Sequence, residues 1–374
     1  MRADHTRKRV AVLGAGGFVG GHLLRYLRAN GREARAVARR PPQAADPDWR
    51  IADACDVYAL RDAFAGCDSV VHAALGDNTT ITDSVAPVYA AAEGVGVRRL
   101  IYMSSGSVHG QSPAPGTDEA SPLSVRQPFA YNNAKVRAER RLRRLRKRGT
   151  VELVILRPTI VFGPGSRWVF DFADRLQNGT AYVVDGAAGV CNSIYVDNLS
   201  YAVALALDAS NVDGEAFLLG DEEAVRWSDL YRPIANAYGV DFDAVPSVSP
   251  PERRPTIRQA YINPLLASDV ARTIRKALPQ GAKDAVRRAL RIVRRQASPR
   301  EEPVASPILA APPSVPTAAD VPAEIADLQR CRWRLPHDKA VRTMGYVPPV
   351  SFAEGVQRSL EWLERRYAHS RLAS

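Results

Sequence analysis

The sequence predicts an α/β fold, a doubly wound parallel sheet with a smaller C-terminal substrate-binding lobe. Three observations carry that prediction. A short apolar run, Val10 to Leu13, leads into a glycine-rich turn and then into the helical stretch His22 to Leu27. Further strand-like runs recur at Glu33 to Ala38, Ser69 to His72 and Leu100 to Met103, with helical stretches between them. A length of 374 residues is enough for one sheet domain with an ample core and a second, smaller lobe.

The first turn is the first element with chemistry in it. Gly14, Gly17 and Gly20 are spaced G-x-x-G-x-x-G, with Phe18 and Val19 opening the following helix. Glycines there allow a tight turn and let the backbone approach a pyrophosphate at a helix N-terminus, where free N–H groups and the helix dipole favour an anion. A strand before and a helix after make this a dinucleotide site of the Rossmann type, rather than an ordinary strand-to-helix turn. Beyond the second strand, where a carboxylate would meet a free ribose 2′-hydroxyl, the chain has Ala38 followed by Arg39 and Arg40. Guanidinium groups suit a 2′-phosphate, so NADP(H) is preferred over NAD(H), which stays possible. The plainer alternative is that both arginines are solvated loop charges.

Tyr131 and Lys135 are four residues apart, which on a helix puts them one above the other. A phenol with its ordinary pKa of about 10 is a poor acid or base at neutral pH. A neighbouring ammonium is expected to pull it downward, as a proton-coupled hydride transfer at a carbonyl or alcohol requires.

With these motifs in order, the chain resembles the extended short-chain dehydrogenases/reductases of the NAD-dependent epimerase/dehydratase family. The matching residues run along nearly the whole chain: the three glycines, Asp53-Ala54-Cys55-Asp56, Val71-His72-Ala73-Ala74, Met103 to Gly110, Tyr131 with Lys135, Leu156 to Gly165, Tyr195 to Asn198 and Met344 to Pro348. The resemblance implies that Ser105 bonds the reacting oxygen, that Tyr131 transfers the proton and that Lys135 also holds the nicotinamide ribose. It further implies that Asp53 and Ala54 meet the adenine end, that Ala73 and Ala74 pass behind the cofactor and that Pro158 lies beside the nicotinamide. Alignment on Val108 and Gly110 favours Ser105 over Ser104, although a one-residue shift would exchange them.

Several positions depart from the family pattern. No Asn-x-x-Gly-Thr follows Ala74; Thr82-Asp83-Ser84-Val85 stands nearby instead. No Thr-Asp-Glu stands directly after Ser104, where the chain has Ser105-Gly106-Ser107, and this argues against a 4,6-dehydratase. His109 replaces a usual tyrosine and reads as a partly buried loop histidine or a proton relay. Asn192 stands where many epimerases have an arginine, which puts the usual diphosphate clamp in question.

We expect residues 1–165 to form the NAD(P)-binding domain, with 190–212 returning to it, and residues 166–189 and 213–374 to form the substrate lobe. The formal net charge is +11, and it is localised. Arg137 to Arg148 is net +7 and Val270 to Arg300 net +9, which leaves the rest net −5. The first run continues the Tyr131 helix and is expected to project to the surface. The second includes a basic amphipathic helix near 282–296, readable as a packed surface helix or as a weak peripheral contact with anionic membrane. Aromatic residues are not interleaved among these arginines, so nucleic acid is not expected. The Pro/Ala-rich stretch 297–324 reads as a flexible linker, with order resuming near Leu328. Arg332-Trp333-Arg334 reads as a packed tryptophan between two solvated arginines, and Phe352, Val356 and Leu360 mark a closing helix.

Cys55, Cys67, Cys191 and Cys331 lack paired short spacing and read as reduced thiols, neither metal ligands nor a disulfide frame. No apolar run is long enough to span a membrane and no secretory h-region precedes the first strand, so a cytoplasmic protein is expected. The family resemblance implies a homodimer and a nucleotide-linked sugar as substrate, in an epimerisation or ketoreduction. An NADPH-dependent reductase of a non-nucleotide ketone or aldehyde, steroid-like or natural-product in kind, is the alternative. A non-enzymatic dinucleotide-binding scaffold comes third, and the complete set Ser105, Tyr131 and Lys135 argues against it.

Overall fold

Apolar runs that alternate with helical stretches assemble around one sheet in the computed structural model, which describes residues 9–40, 46–251 and 315–372. The chain runs β1 (Val10–Leu13), α1 (Phe18–Ala29), β2 (Ala34–Ala38), β3 (Trp49–Ile51), α2 (Val57–Phe64), β4 (Ser69–His72), α3 (Asn78–Asp83), α4 (Val85–Gly94) and β5 (Arg99–Met103). It continues through α5 (Ala130–Arg146), β6 (Glu152–Pro158), α6 (Arg167–Gln177), α7 (Val196–Asp208), β7 (Ala216–Leu219) and α8 (Trp227–Ala237). After the segment outside the described residues come α9 (Ala323–Gln329), α10 (Asp338–Met344) and α11 (Phe352–Leu372). The seven strands pair in parallel in the order β7-β6-β5-β4-β1-β2-β3.

Helices cover both faces of the sheet, which is why its central strands read as continuous apolar runs. Leu60, Phe64, Val88, Tyr89 and Leu142 pack on one face, and Leu23, Leu27, Leu199, Val203 and Tyr346 on the other. A smaller aromatic core joins Phe162, Phe172, Trp227, Tyr231 and Phe352, with the Phe172 and Tyr231 rings stacked 4.1 Å apart. The strand order reverses at β1, between β2 and β4, and this places a crevice beyond their C-terminal ends.

Two expectations need correction, and one short strand was not foreseen. The returning segment is longer than 190–212, because the apolar strand Ala216–Leu219 pairs with β6 as the edge of the main sheet. β3 has only three residues, one of them arginine, and its sequence carries no strand-like pattern. Residues 297–314 and the basic helix near 282–296 lie outside the described residues, but the expected linker does not extend to 324. Val321 is buried against Tyr182, Val184 and Ala326, and Thr317 forms a turn with Asp320. The arginine run of α5 does reach the surface, with Arg140, Arg144, Lys147 and Arg148 exposed, and several of its members are anchored there: Arg140 donates to Leu123 O, Arg141 to Thr82 O and Arg143 to Gly214 O, and Arg146 pairs with Asp213.

Candidate active site

The glycine turn is built so that backbone meets backbone. Gly14 has φ +97°, and a Cβ there would stand 2.6 Å from Ala74 N. At Gly20 a Cβ would lie 2.2 Å from Gly14 O. Ala73 N donates to Leu13 O, which fixes Ala73 and Ala74 beside the turn. Gly17 is the N-cap of α1, with no side-chain cap and no acid in the first turn, so the first N–H groups of the helix have no side-chain acceptor. That donor set fits a dinucleotide pyrophosphate.

The rest of the cofactor set lies around this crevice. Arg39 and Arg40 are exposed just past Ala38, whose Cβ faces Gly16. Asp53 is exposed and accepts from Cys55 N at 2.8 Å, shaping its own turn, while Ala54 is buried. Pro158 ends β6, and its carbonyl lies close to Gly106.

Ser105, Tyr131 and Lys135 come together at the end of β5. Ser105 caps a single 3₁₀ turn, Gly106–His109, by accepting from Ser107 N, and shares a hydrogen bond of 2.9 Å with Ser107 Oγ. The Tyr131 phenol lies near enough for the Ser105 side chain to favour its ionised form. Lys135 is 4% exposed and donates from Nζ to Met103 O at 2.7 Å, with Nζ 5.8 Å from the centre of the Tyr131 ring.

The expected electrostatics are reversed in this arrangement. Burial pushes the Tyr131 phenol up to about 12; the Ser105 side chain opposes this and the Glu324 carboxylate adds to it. Lys135 does not bring the phenol down, because its ammonium is turned toward the Met103 carbonyl. The lysine itself is drawn down to about 8 by burial, which the Glu139 carboxylate opposes.

Ser104 has a different task from Ser105. It is buried and donates to Glu139 Oε1 at 2.5 Å. Arg157 also holds Glu139, at 3.0 Å from Nε and 2.7 Å from Nη2. The other end of that guanidinium meets His109 Nε2 at 3.2 Å, and burial followed by the Arg157 charge draws His109 down to about 4. His109 is therefore a neutral, partly buried loop histidine at neutral pH.

Sequence reasoning missed the C-terminal segment that runs along the loop after Ser105. Gln111 Nε2 donates to Glu324 Oε1 at 2.6 Å, Trp333 Nε1 to Thr117 O at 3.0 Å, and Leu335 packs against Gly106. Asn192 braces this segment with both ends of its amide: Nδ2 donates to Trp333 O at 3.0 Å and Oδ1 accepts from Leu335 N at 2.8 Å. Arg334 donates to the carbonyls of Asp221 and Glu222, so it is anchored rather than solvated. Glu139 had a faint signal, since it extends the 131, 135 spacing by one more turn. Gln111 and Glu324 had none.

Comparison with known proteins gives the family and the fold. The model of the NAD dependent epimerase/dehydratase family matches residues 10–220. The chain is 30% identical over 250 residues to a 3-diazoavenalumate denitrifying reductase from a Streptomyces species, covering 61% of this chain and 82% of that protein. It is 28% identical over 260 residues to a 3 beta-hydroxysteroid dehydrogenase/Delta 5-->4-isomerase of Mycobacterium tuberculosis, covering 62% of this chain and 70% of the other. Its fold is similar to that of a dTDP-glucose 4,6-dehydratase from Streptomyces venezuelae solved with NAD bound, at a TM-score of 0.67 and 20% identity, over 95% of this chain and 97% of that one.

Proposed function

The chain belongs to the NAD dependent epimerase/dehydratase family, the extended short-chain dehydrogenases/reductases, and from that premise we propose that it is an NADPH-dependent reductase of a non-nucleotide organic carbonyl. The observation that carries this reading is Asn192. Where a nucleotide sugar would need a cation for its diphosphate, residue 192 is an amide whose two ends both bond the backbone of Trp333 and Leu335. Two of the relatives point the same way, being named for 3-diazoavenalumate and for 3 beta-hydroxysteroids.

In this reading Ser105 Oγ holds the carbonyl oxygen of the substrate. Tyr131 is kept protonated by burial and by Glu324, and it gives that oxygen its proton. Lys135 orients the nicotinamide ribose from its seat on Met103 O. The nicotinamide, when bound, supplies the hydride. Arg39 and Arg40, exposed beyond Ala38, would receive the 2′-phosphate, which favours NADPH over NADH.

Ketoreduction or epimerisation of a nucleotide-linked sugar is the second reading, and it would use the same three residues. Its diphosphate would have to be held by groups other than Asn192.

The test is consumption of NADPH and of NADH by purified protein, offered a cyclic ketone, a steroid ketone, UDP-glucose and dTDP-glucose. We expect NADPH consumption with a free ketone and none with either nucleotide sugar. Tightly retained NAD with turnover of a nucleotide sugar would contradict the proposal.

A further inference from the structure

The reaction centre rests on a buried carboxylate for which the chemistry above has no use. Glu139 lies one turn beyond Lys135 on α5, so Tyr131, Lys135 and Glu139 share one helix face. It is 1% exposed and held from β5 by Ser104 and from β6 by Arg157, through hydrogen bonds of 2.5, 3.0 and 2.7 Å. The guanidinium that grips it is itself 2% exposed, so the Arg157–Glu139 pair is buried as a unit.

The groups that face Lys135 can be named. On its own helix they are Tyr131 and Glu139. From β5 come the Met103 carbonyl at 2.7 Å and the Tyr102 ring at 5.1 Å, and from β4 the neutral His72. Arg157 of β6 lies behind Glu139, and Asp83 of α3 is directed at Arg141, 3.9 Å away. Among the described residues that face Lys135, Glu139 is the one that brings a carboxylate. A buried ammonium surrounded by rings, a carbonyl and a neutral imidazole is otherwise driven toward its uncharged form.

We propose that Glu139 is a positioning residue of the reaction centre: clamped by Arg157 and Ser104 one turn from Lys135, its carboxylate holds the Lys135 ammonium in place on Met103 O. The functional consequence rests on the reading that Lys135 holds the nicotinamide ribose; the link between Glu139 and Lys135 does not.

The experiment is a ¹⁵N-lysine NMR titration of the full chain, with the Lys135 signal assigned by its loss in Lys135→Met. NADPH affinity is measured by fluorescence over the same pH range. Lys135 is expected to titrate near 8 in the wild type and about one pH unit lower in Glu139→Gln. Glu139→Asp is expected to restore much of the difference, and the pH above which NADPH binding weakens is expected to move with the lysine. An unchanged Lys135 titration in folded Glu139→Gln would overturn the proposal. If that variant does not fold, Glu139→Gln with Arg157→Gln is compared with Arg157→Gln alone, and an unchanged Lys135 titration between those two would overturn the proposal. A shifted lysine with NADPH affinity indifferent to pH in every variant would uphold the link and sink the reading of Lys135 as a cofactor ligand.

Discussion

Gln111 and Glu324 are joined by a hydrogen bond of 2.6 Å although 213 residues separate them in sequence. This contact fastens the start of α9 to the loop after Ser105 and puts a carboxylate within electrostatic reach of the Tyr131 phenol. The charge disfavours the phenolate, so its removal has a definite sign. Glu324→Gln should lower the Tyr131 pKa. A reduction that needs the protonated phenol should then lose rate at lower pH than the wild type does. The alkaline limb of kcat/KM for the reduction, measured in both proteins, checks this; coincident limbs would remove Glu324 from the account.

Asn192 is read here as a brace rather than a substrate ligand. Asn192→Ala leaves Trp333 O and Leu335 N without their partner, and each lost buried hydrogen bond of this kind costs about 1–3 kcal/mol. Urea unfolding should show a destabilisation of about 2–6 kcal/mol, the sum over both contacts, with NADPH affinity unchanged.

His72 should make the fold sensitive to acid. Burial, and then the Lys135 charge, draw it down to about 3, well below the ordinary histidine value of 6.5. A histidine depressed in the folded state contributes stability that is present above about 6.5 and is lost as pH falls toward the folded value, because the unfolded chain takes up the proton first. The loss approaches about 1.4 kcal/mol per pH unit for one such group. His72→Gln should therefore flatten the fall in unfolding midpoint between about pH 6.5 and pH 4.5. An equally steep fall in the variant would show that other groups carry the effect.

Gly20 offers a test of the cofactor cradle that is independent of catalysis. Alanine is the better helix former, yet its Cβ would lie 2.2 Å from Gly14 O. Gly20→Ala should force the turn apart and weaken NADPH binding by at least about 10-fold, the equivalent of 1.4 kcal/mol. Gly31→Ala, where φ is +73° but a Cβ meets nothing within 4 Å, should cost stability through backbone strain and leave NADPH affinity unchanged. Calorimetric titration of both variants distinguishes a local clash from a general loss of fold.

What was legible in the sequence is what is local. The strand, glycine turn and helix of β1 and α1 occupy twenty consecutive residues, and Tyr131 with Lys135 needs only the helical period. Alignment favoured Ser105 over Ser104 with a one-residue exchange left open, and the two side chains have different partners in the structure. The direction of the Tyr131 shift was not legible, because it depends on burial and on Glu324 rather than on the nearest cation. Glu324 reaches the site through tertiary packing, with no spacing rule to announce it. β7 was missed for a similar reason, since four apolar residues do not say which strand they will pair with.

The central claim is that Tyr131 is the proton donor of a nicotinamide-dependent reduction. Its most direct test is Tyr131→Phe, comparing kcat with the best free ketone and NADPH affinity against the wild type. The account predicts a loss of at least about 100-fold in kcat with NADPH affinity and thermal stability preserved. A Tyr131→Phe protein that reduces the ketone at the wild-type rate would contradict it.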